Sequence, residues 1–271
     1  MVMYRFEEGR LVMTTTGSNA RHRPHDLPTP PAFPPASAAL FLDLDGTLAP
    51  IMPRPEQVGP DKRRAMLIKR LTATLNGRVA IVSGRALDDL DRILARGVTP
   101  IAAVHGLVRR DAEGQVISSS PHAGIADARL LLRDLARCDR GLQFEDKGVS
   151  VGLHYRNAPA AAEAVIEAAD RIARTTGLVL QMGDMVVELR TPGQDKGQSV
   201  AAFLREHPFM GSTPIFVGDD LTDEDGFAAA ARLGGYGVLV GEMRPTAASY
   251  RLKDTAAVSA WLEGVATLMP A

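Results

Sequence analysis

The rhythm of apolar and polar positions changes twice along this chain. Residues 38–42, Ala-Ala-Leu-Phe-Leu, form an apolar run too short for a helix and halted by Asp-Leu-Asp-Gly-Thr, which predicts a buried parallel strand. Apolar positions at helical spacing follow over 61–75, and Asn76-Gly77 supplies a stop. A strand over 79–82, a helix over 86–95 and a strand over 100–104 come next. The alternation resumes with a helix over 196–207, a strand over 214–217, a helix over 221–233 and a strand over 237–240. A last helix over 256–268 is expected to bury Trp261 and Leu262. Such alternation predicts an α/β fold with a doubly wound parallel sheet. In between, 142–156 alternates apolar and polar residues about Lys147-Gly148, and 179–189 does so about Gly183-Asp184. Both read as antiparallel hairpins, with helices over 123–138 and 159–175 beside them.

The expected division is therefore a core over 37–107 and 191–271 with an inserted α+β cap over 108–190. Residues 1–36, proline-rich and without hydrophobic period, read as a disordered tail. Two alternatives for that tail are a PxxP-type docking peptide and an over-long start with Met13 as the true one.

Composition narrows the function. An apolar content of 45% is ample for real cores, and a net charge of -1 gives no electrostatic case for nucleic acid or an anionic membrane as partner. No run approaches the roughly 20 apolar residues of a membrane span, and the opening MVMYRFEEGR lacks the apolar centre of a signal peptide, so the cytoplasm is expected. The single cysteine, Cys138, excludes an internal disulfide or a zinc framework, and a buried, inert thiol is expected there. A monomer is expected.

Candidate chemistry lies at the strand ends. Asp43 and Asp45, two apart, point the same way in extended backbone, and the acids Asp219, Asp220 and Asp223 follow the strand over 214–217. So many carboxylates at one sheet edge repel unless a cation joins them, and Mg²⁺ suits hard oxygen ligands together with a phosphate. Asp43 and Asp219 would hold it, with a backbone carbonyl near Asp45. Helix capping is the bland alternative; it accounts for Thr222 or Asp223 but not for Asp219 and Asp220. For phosphoryl transfer Asp43 is the candidate nucleophile and Asp45 the acid/base; Ser83 and Lys196 would meet the phosphoryl oxygens.

Four motifs stand in order: DLDGTL over 43–48, SGR over 83–85, DKG over 195–197 and GDDLTDED over 218–225. They resemble the motifs of haloacid dehalogenase (HAD) superfamily phosphatases. More narrowly, AVHG, FEDKGVSVGLHYR, VVELRTPGQDKG and GDDLTDEDGF resemble the trehalose-6-phosphate phosphatase family over about 38–261. The resemblance implies Asp43 as nucleophile, Asp45 as acid/base, Ser83 and Lys196 as phosphate holders, and Mg²⁺ on Asp43, Asp45 and Asp219 with Asp220 and Asp223 close behind it. It further implies that Arg85, Glu145, Lys147, His154 and Glu188 grip the disaccharide. On the residues alone, the polar face of the 142–156 hairpin reads as solvated, the usual fate of such a face; the resemblance reverses that reading. His105 carries no assigned role. The reaction implied is hydrolysis of trehalose 6-phosphate, a small sugar phosphate, to trehalose and phosphate through an aspartyl-phosphate. Two alternatives are a related phosphatase for another sugar or glycosyl-glycerate phosphate, and a phospho-accepting, receiver-like binding protein.

Overall fold

A computed structural model describes residues 26–95, 97 and 100–267, together with the backbone of two short N-terminal strands. Those strands, β1 (Val2–Glu7) and β2 (Arg10–Thr15), pair antiparallel with each other. The rest of residues 1–25 lies outside the described residues.

In β3 (Ala38–Leu42) every side chain is buried. Ala38, Leu40 and Leu42 enter one hydrophobic cluster while Ala39 and Phe41 enter another, so both faces of the strand are covered and the sequence has no polar face to show. The chain continues through α1 (Lys62–Thr74), β4 (Val79–Val82), α2 (Leu87–Ile93) and β5 (Ile101–Ala103). Two short strands, β6 (Val108–Arg110) and β7 (Val116–Ser118), then fold back antiparallel beside β5.

Next come α3 (Ile125–Ala136), β8 (Gln143–Asp146), β9 (Ser150–His154), α4 (Ala162–Thr176), β10 (Val179–Gly183) and β11 (Val186–Arg190). The chain returns to the core with α5 (Lys196–Phe203), β12 (Thr213–Gly218), α6 (Glu224–Arg232), β13 (Tyr236–Val240), β14 (Tyr250–Leu252) and α7 (Thr255–Ala266).

The core sheet has eight strands in the order β14-β13-β12-β3-β4-β5-β6-β7, parallel from β14 to β5. Helices α1, α2 and α7 cover one face and α5 and α6 the other. The second sheet, β10-β11-β9-β8, is wholly antiparallel. Val151, Leu153, Val187 and Leu189 pack its inner face against α3 and α4, which leaves the alternate positions for the opposite face. No helix among the described residues is long and apolar enough to cross a membrane.

Three expectations need correction. The insert does not begin at 108, because β6 and β7 belong to the core sheet. Residues 26–36 are not a free tail: Phe33 is buried edge-on against Trp261, whose indole N–H donates to the Pro31 carbonyl, and Arg251 pairs with Asp26. That segment shields Trp261, which is only partly buried, while Leu262 beside it is fully so. Cys138 is exposed, just past the last turn of α3.

Candidate active site

The polar residues after β3, β4, β5 and β12 gather at the carboxyl edge of the parallel sheet, where open α/β folds bind ligands. Asp43 prolongs the sheet by one bond, its N–H donating to Val217 O at 2.9 Å. The chain then turns sharply, and the Leu44 carbonyl accepts from the N–H groups of Leu48 and Ala49. Gly46 makes that turn possible. It has φ +74°, and a Cβ there would lie 2.0 Å from Asp219 Oδ2. Asp195 caps α5 by accepting from Gln198 N–H, which fixes Lys196 at the first helical position.

Lys196 is buried and reaches two carboxylates: Nζ donates to Asp43 Oδ1 at 3.0 Å and to Asp223 Oδ1 at 2.6 Å. Asp223 Oδ2 accepts from the backbone N–H groups of Asp219 and Asp220, each at 2.9 Å. Both Asp223 oxygens thus have partners. By contrast, among the described residues the Asp219 carboxylate receives only the Thr47 hydroxyl, at 3.3 Å. Arg244 steadies the loop from behind, donating to the carbonyls of Asp219 and Asp220 at 3.1 and 2.8 Å and pairing with Glu224.

Carboxylate oxygens of Asp43, Asp219 and Asp223 lie within 4.8 Å of one another. One buried ammonium does not balance three carboxylates. Burial first, opposed by Lys196 and reinforced by Asp223 and Asp45, pushes Asp43 up to about 8. Burial, then the charges of Asp43, Asp223 and Asp220, pushes Asp219 up to about 9. A site that holds protons so tightly is a site short of positive charge, so the donor set fits a divalent cation with hard oxygen ligands. Asp43 and Asp219 have unshared oxygen lone pairs to offer, whereas Asp223 is already engaged by Lys196 and two amides.

Asp45 keeps different company. Arg85 grips it with two bonds, Nε to Oδ2 at 2.6 Å and Nη2 to Oδ1 at 2.9 Å. The same guanidinium also pairs with Asp89 and donates to the Pro55 carbonyl. Ser83, 2% exposed, sits at the end of β4 and accepts from Arg85 N–H at 3.3 Å. Past β5, Val104 and His105 adopt left-handed backbone, φ +47° and +55°. Such a conformation costs a non-glycine residue about 1–3 kcal/mol, and it lays the His105 ring against Gly84.

Facing this edge is the polar side of the second sheet. Glu188, 4% exposed, accepts from Ser150 Oγ at 2.6 Å and from Lys147 Nζ at 2.7 Å. Lys147 also lies 3.5 Å from Glu145, whose Oε2 is 2.9 Å from His154 Nε2. Burial opposes the charge of Glu188, but Lys147 and then His105 hold its carboxyl well below the usual range. In the sheet register Gly152 stands between Glu145 and Glu188, so no side chain separates the two acids. Core and inserted lid face each other across a cleft lined by Asp43, Ser83, Lys196 and Asp219 below and Glu145, Lys147, His154 and Glu188 above. Gln143 of the lid bonds Glu56 of the core.

The family model for trehalose-phosphatase matches residues 41–256. The chain belongs to the trehalose-phosphatase family. The trehalose-6-phosphate phosphatase of Escherichia coli (strain K12) is 41% identical over 236 residues, 86% of this chain and 88% of its own length. Among solved structures, one described as a trehalose-6-phosphate phosphatase related protein superposes with a TM-score of 0.73 at 27% identity, over 86% of this chain and 98% of that one. The C-terminal domain of the Candida albicans trehalose-6-phosphate phosphatase, at 22% identity, shares the fold with a TM-score of 0.77, over 86% and 93% of the two chains. The fold is that of the HAD phosphatases.

Within this family member, Asp43, Ser83, Lys196, Asp219 and Asp220 line one end of the cleft and the lid residues the other, while Asp223 lies buried behind them against Lys196 and the amides of Asp219 and Asp220. One placement was not foreseen: the Arg85 guanidinium, expected at the sugar, is taken up by Asp45, Asp89 and Pro55, so the Asp45 side chain stands apart from the cluster of Asp43, Asp219 and Asp223. Thr47 and Arg244 were missed. Ser150, which shares a hairpin face with His154, and His105, which ends a core strand as Ser83 does, carried a signal but were given no role.

Proposed function

We propose that this protein is a Mg²⁺-dependent phosphatase that hydrolyses trehalose 6-phosphate to trehalose and phosphate, acting as a monomer in the cytoplasm. The reading rests above all on the pairing, across one cleft of one chain, of a buried aspartate–lysine cluster with a lid network rich in sugar-type hydrogen-bonding groups. A phosphatase without sugar selectivity has use for the first alone. The 41% identity to the Escherichia coli trehalose-6-phosphate phosphatase supports the disaccharide.

An oxygen of the Asp43 carboxylate attacks phosphorus as the bond to the sugar C6 oxygen breaks, giving an aspartyl-phosphate. Asp45 as carboxylic acid delivers its proton to the departing sugar oxygen, which leaves as trehalose. The Asp45 carboxylate so formed then takes a proton from water, whose oxygen attacks phosphorus; phosphate departs and Asp43 is regenerated. Lys196, fixed between Asp43 and Asp223, places its ammonium beside the nucleophile, and the Ser83 hydroxyl is free to donate to a phosphoryl oxygen. Asp43 and Asp219 would hold Mg²⁺, together with the Asp45 backbone carbonyl, and Asp220 and Asp223 would orient them from behind. When bound, the ion offsets the charge of the acid cluster and of the phosphoryl oxygens. Arg85 orients Asp45, and Glu145, Lys147, His154 and Glu188 bind the sugar hydroxyls from the lid.

The test is the reaction itself. With Mg²⁺, trehalose and phosphate should appear from trehalose 6-phosphate in equal amounts, and excess chelator should stop both. Release that persists in chelator would refute the metal, and no release at all would refute the substrate.

A further inference from the structure

One contact between the sugar-binding lid and the catalytic edge is made by a residue with no part in the chemistry above. We propose that His105 is a positioning residue, the core's anchor for Glu188, which sets how the closed lid presents its Glu188–Lys147 pair to the sugar. The inference rests on the lid reading of the preceding section.

Four observations carry it. First, the imidazole Nε2 lies 3.5 Å from Glu188 Oε2, and this pairing crosses from the core to the lid. Second, the turn that aims the ring is costly to form: Val104, His105 and Gly106 all have positive φ, although Val104 is β-branched. Two bonds hold the turn against the β4 end, Val104 N–H to Arg85 O at 2.9 Å and His105 N–H to Ser83 O at 3.0 Å. Strain of this kind persists where the surroundings over-determine it, and such places cluster at functional sites. Third, His105 is 8% exposed and its Nδ1 has no hydrogen-bond partner among the described residues, so satisfying the fold does not account for its presence. Fourth, Gly84 makes room for it. A Cβ on Gly84 would come within 2.6 Å of Nε2 and 2.7 Å of Cε1. The glycine of the Ser83-Gly84-Arg85 turn is therefore required by the histidine ring.

Glu188 thus has three partners drawn from both halves of the molecule: Ser150 and Lys147 in the lid and His105 in the core. With the lid raised, only the first two remain. His105 rewards the closed position and turns the carboxylate as it does so.

The experiment compares kcat/KM for trehalose 6-phosphate and for an aryl phosphate in the parent, His105→Phe, His105→Gln, Gly84→Ala and Glu188→Gln, with thermal denaturation of each. His105→Phe should lose about tenfold on the sugar phosphate and several-fold less on the aryl phosphate, which the lid does not grip. His105→Gln, which keeps a donor, should recover most of that loss, and Gly84→Ala should reproduce it. In a Glu188→Gln background the further cost of His105→Phe should fall to less than about twofold, because the partner is gone. Equal losses on both substrates, full additivity of the His105 and Glu188 changes, or no loss in a folded His105→Phe would overturn the proposal. A parent with no activity on trehalose 6-phosphate but turnover of another sugar phosphate would instead refute the disaccharide reading, and the same comparison would be read on that sugar phosphate.

Discussion

Asp43 and Asp45 stand two residues apart and live in different electrostatic settings. The first shares a buried lysine with Asp223; the second is gripped by an arginine. Their replacement should accordingly fail in different ways. Asp43→Asn, with no carboxylate to attack phosphorus, should abolish turnover while the protein stays folded by circular dichroism. Asp45→Asn should lower kcat by about 10²- to 10⁴-fold on a substrate with a poor leaving group, the range expected for lost acid/base help. A loss well below that range would assign the proton to another group. Asp219→Asn removes the cluster's least satisfied carboxylate, so the rise in melting temperature caused by Mg²⁺ should largely disappear. Residues such as Asp43, Ser83 and Lys196 were legible in the sequence because they follow short apolar runs or open helices, and local pattern places them. Arg244 was not, because its work is to hold the carbonyls of Asp219 and Asp220, about 25 positions earlier in the chain, and nothing local records that.

At the level of elements, the long and strongly patterned segments announced themselves. The two hairpins of the lid alternate cleanly because α3 and α4 cover one face and the cleft lies on the other. Five strands escaped notice: β1 and β2 fall in the segment read as a tail, and β6, β7 and β14 have three residues each, too few to show a period. β6 also carries Arg109 and Arg110, whose charges are met by Glu206 and Asp91 from other elements. Residues 26–36 misled through composition, since proline-rich chain also packs when an aromatic such as Phe33 finds a partner. Phe33→Ala should therefore cost roughly 3–5 kcal/mol of stability in denaturant titration, with little change in kcat. An unchanged midpoint would return this segment to the status of a tail. Within the lid, Gly152→Val tests whether the gap between Glu145 and Glu188 receives sugar. A Cβ at 152 meets nothing closer than 3.6 Å and valine suits a strand, so the sheet should survive while KM for the sugar phosphate rises.

Across the whole molecule, charge links stability to metal and pH. In the metal-free protein Asp43 and Asp219 keep their protons up to about 8 and about 9, whereas the unfolded chain releases them near 3.8. Between those limits the folded state binds more protons. The stability these two groups confer is therefore complete at low pH and is lost as pH rises toward 8 and 9. A divalent cation competes with those protons, so the increase in melting temperature on adding Mg²⁺ should be larger at about pH 8 than at about pH 6. An increase that shrinks with rising pH would mean that the ion binds elsewhere.

The division of labour between core and lid is the central claim, and one paired measurement addresses it directly. Phosphate release from trehalose 6-phosphate and from an aryl phosphate is to be followed in the parent, Asp43→Asn and Glu145→Ala. Asp43→Asn should be inactive on both. Glu145→Ala, which removes a carboxylate bonded to His154 and close to Lys147, should lose about tenfold in kcat/KM, ~1.4 kcal/mol, on the sugar phosphate alone. A Glu145→Ala enzyme that falls equally on both substrates, or on neither, would contradict the assignment of recognition to the lid and chemistry to the strand ends.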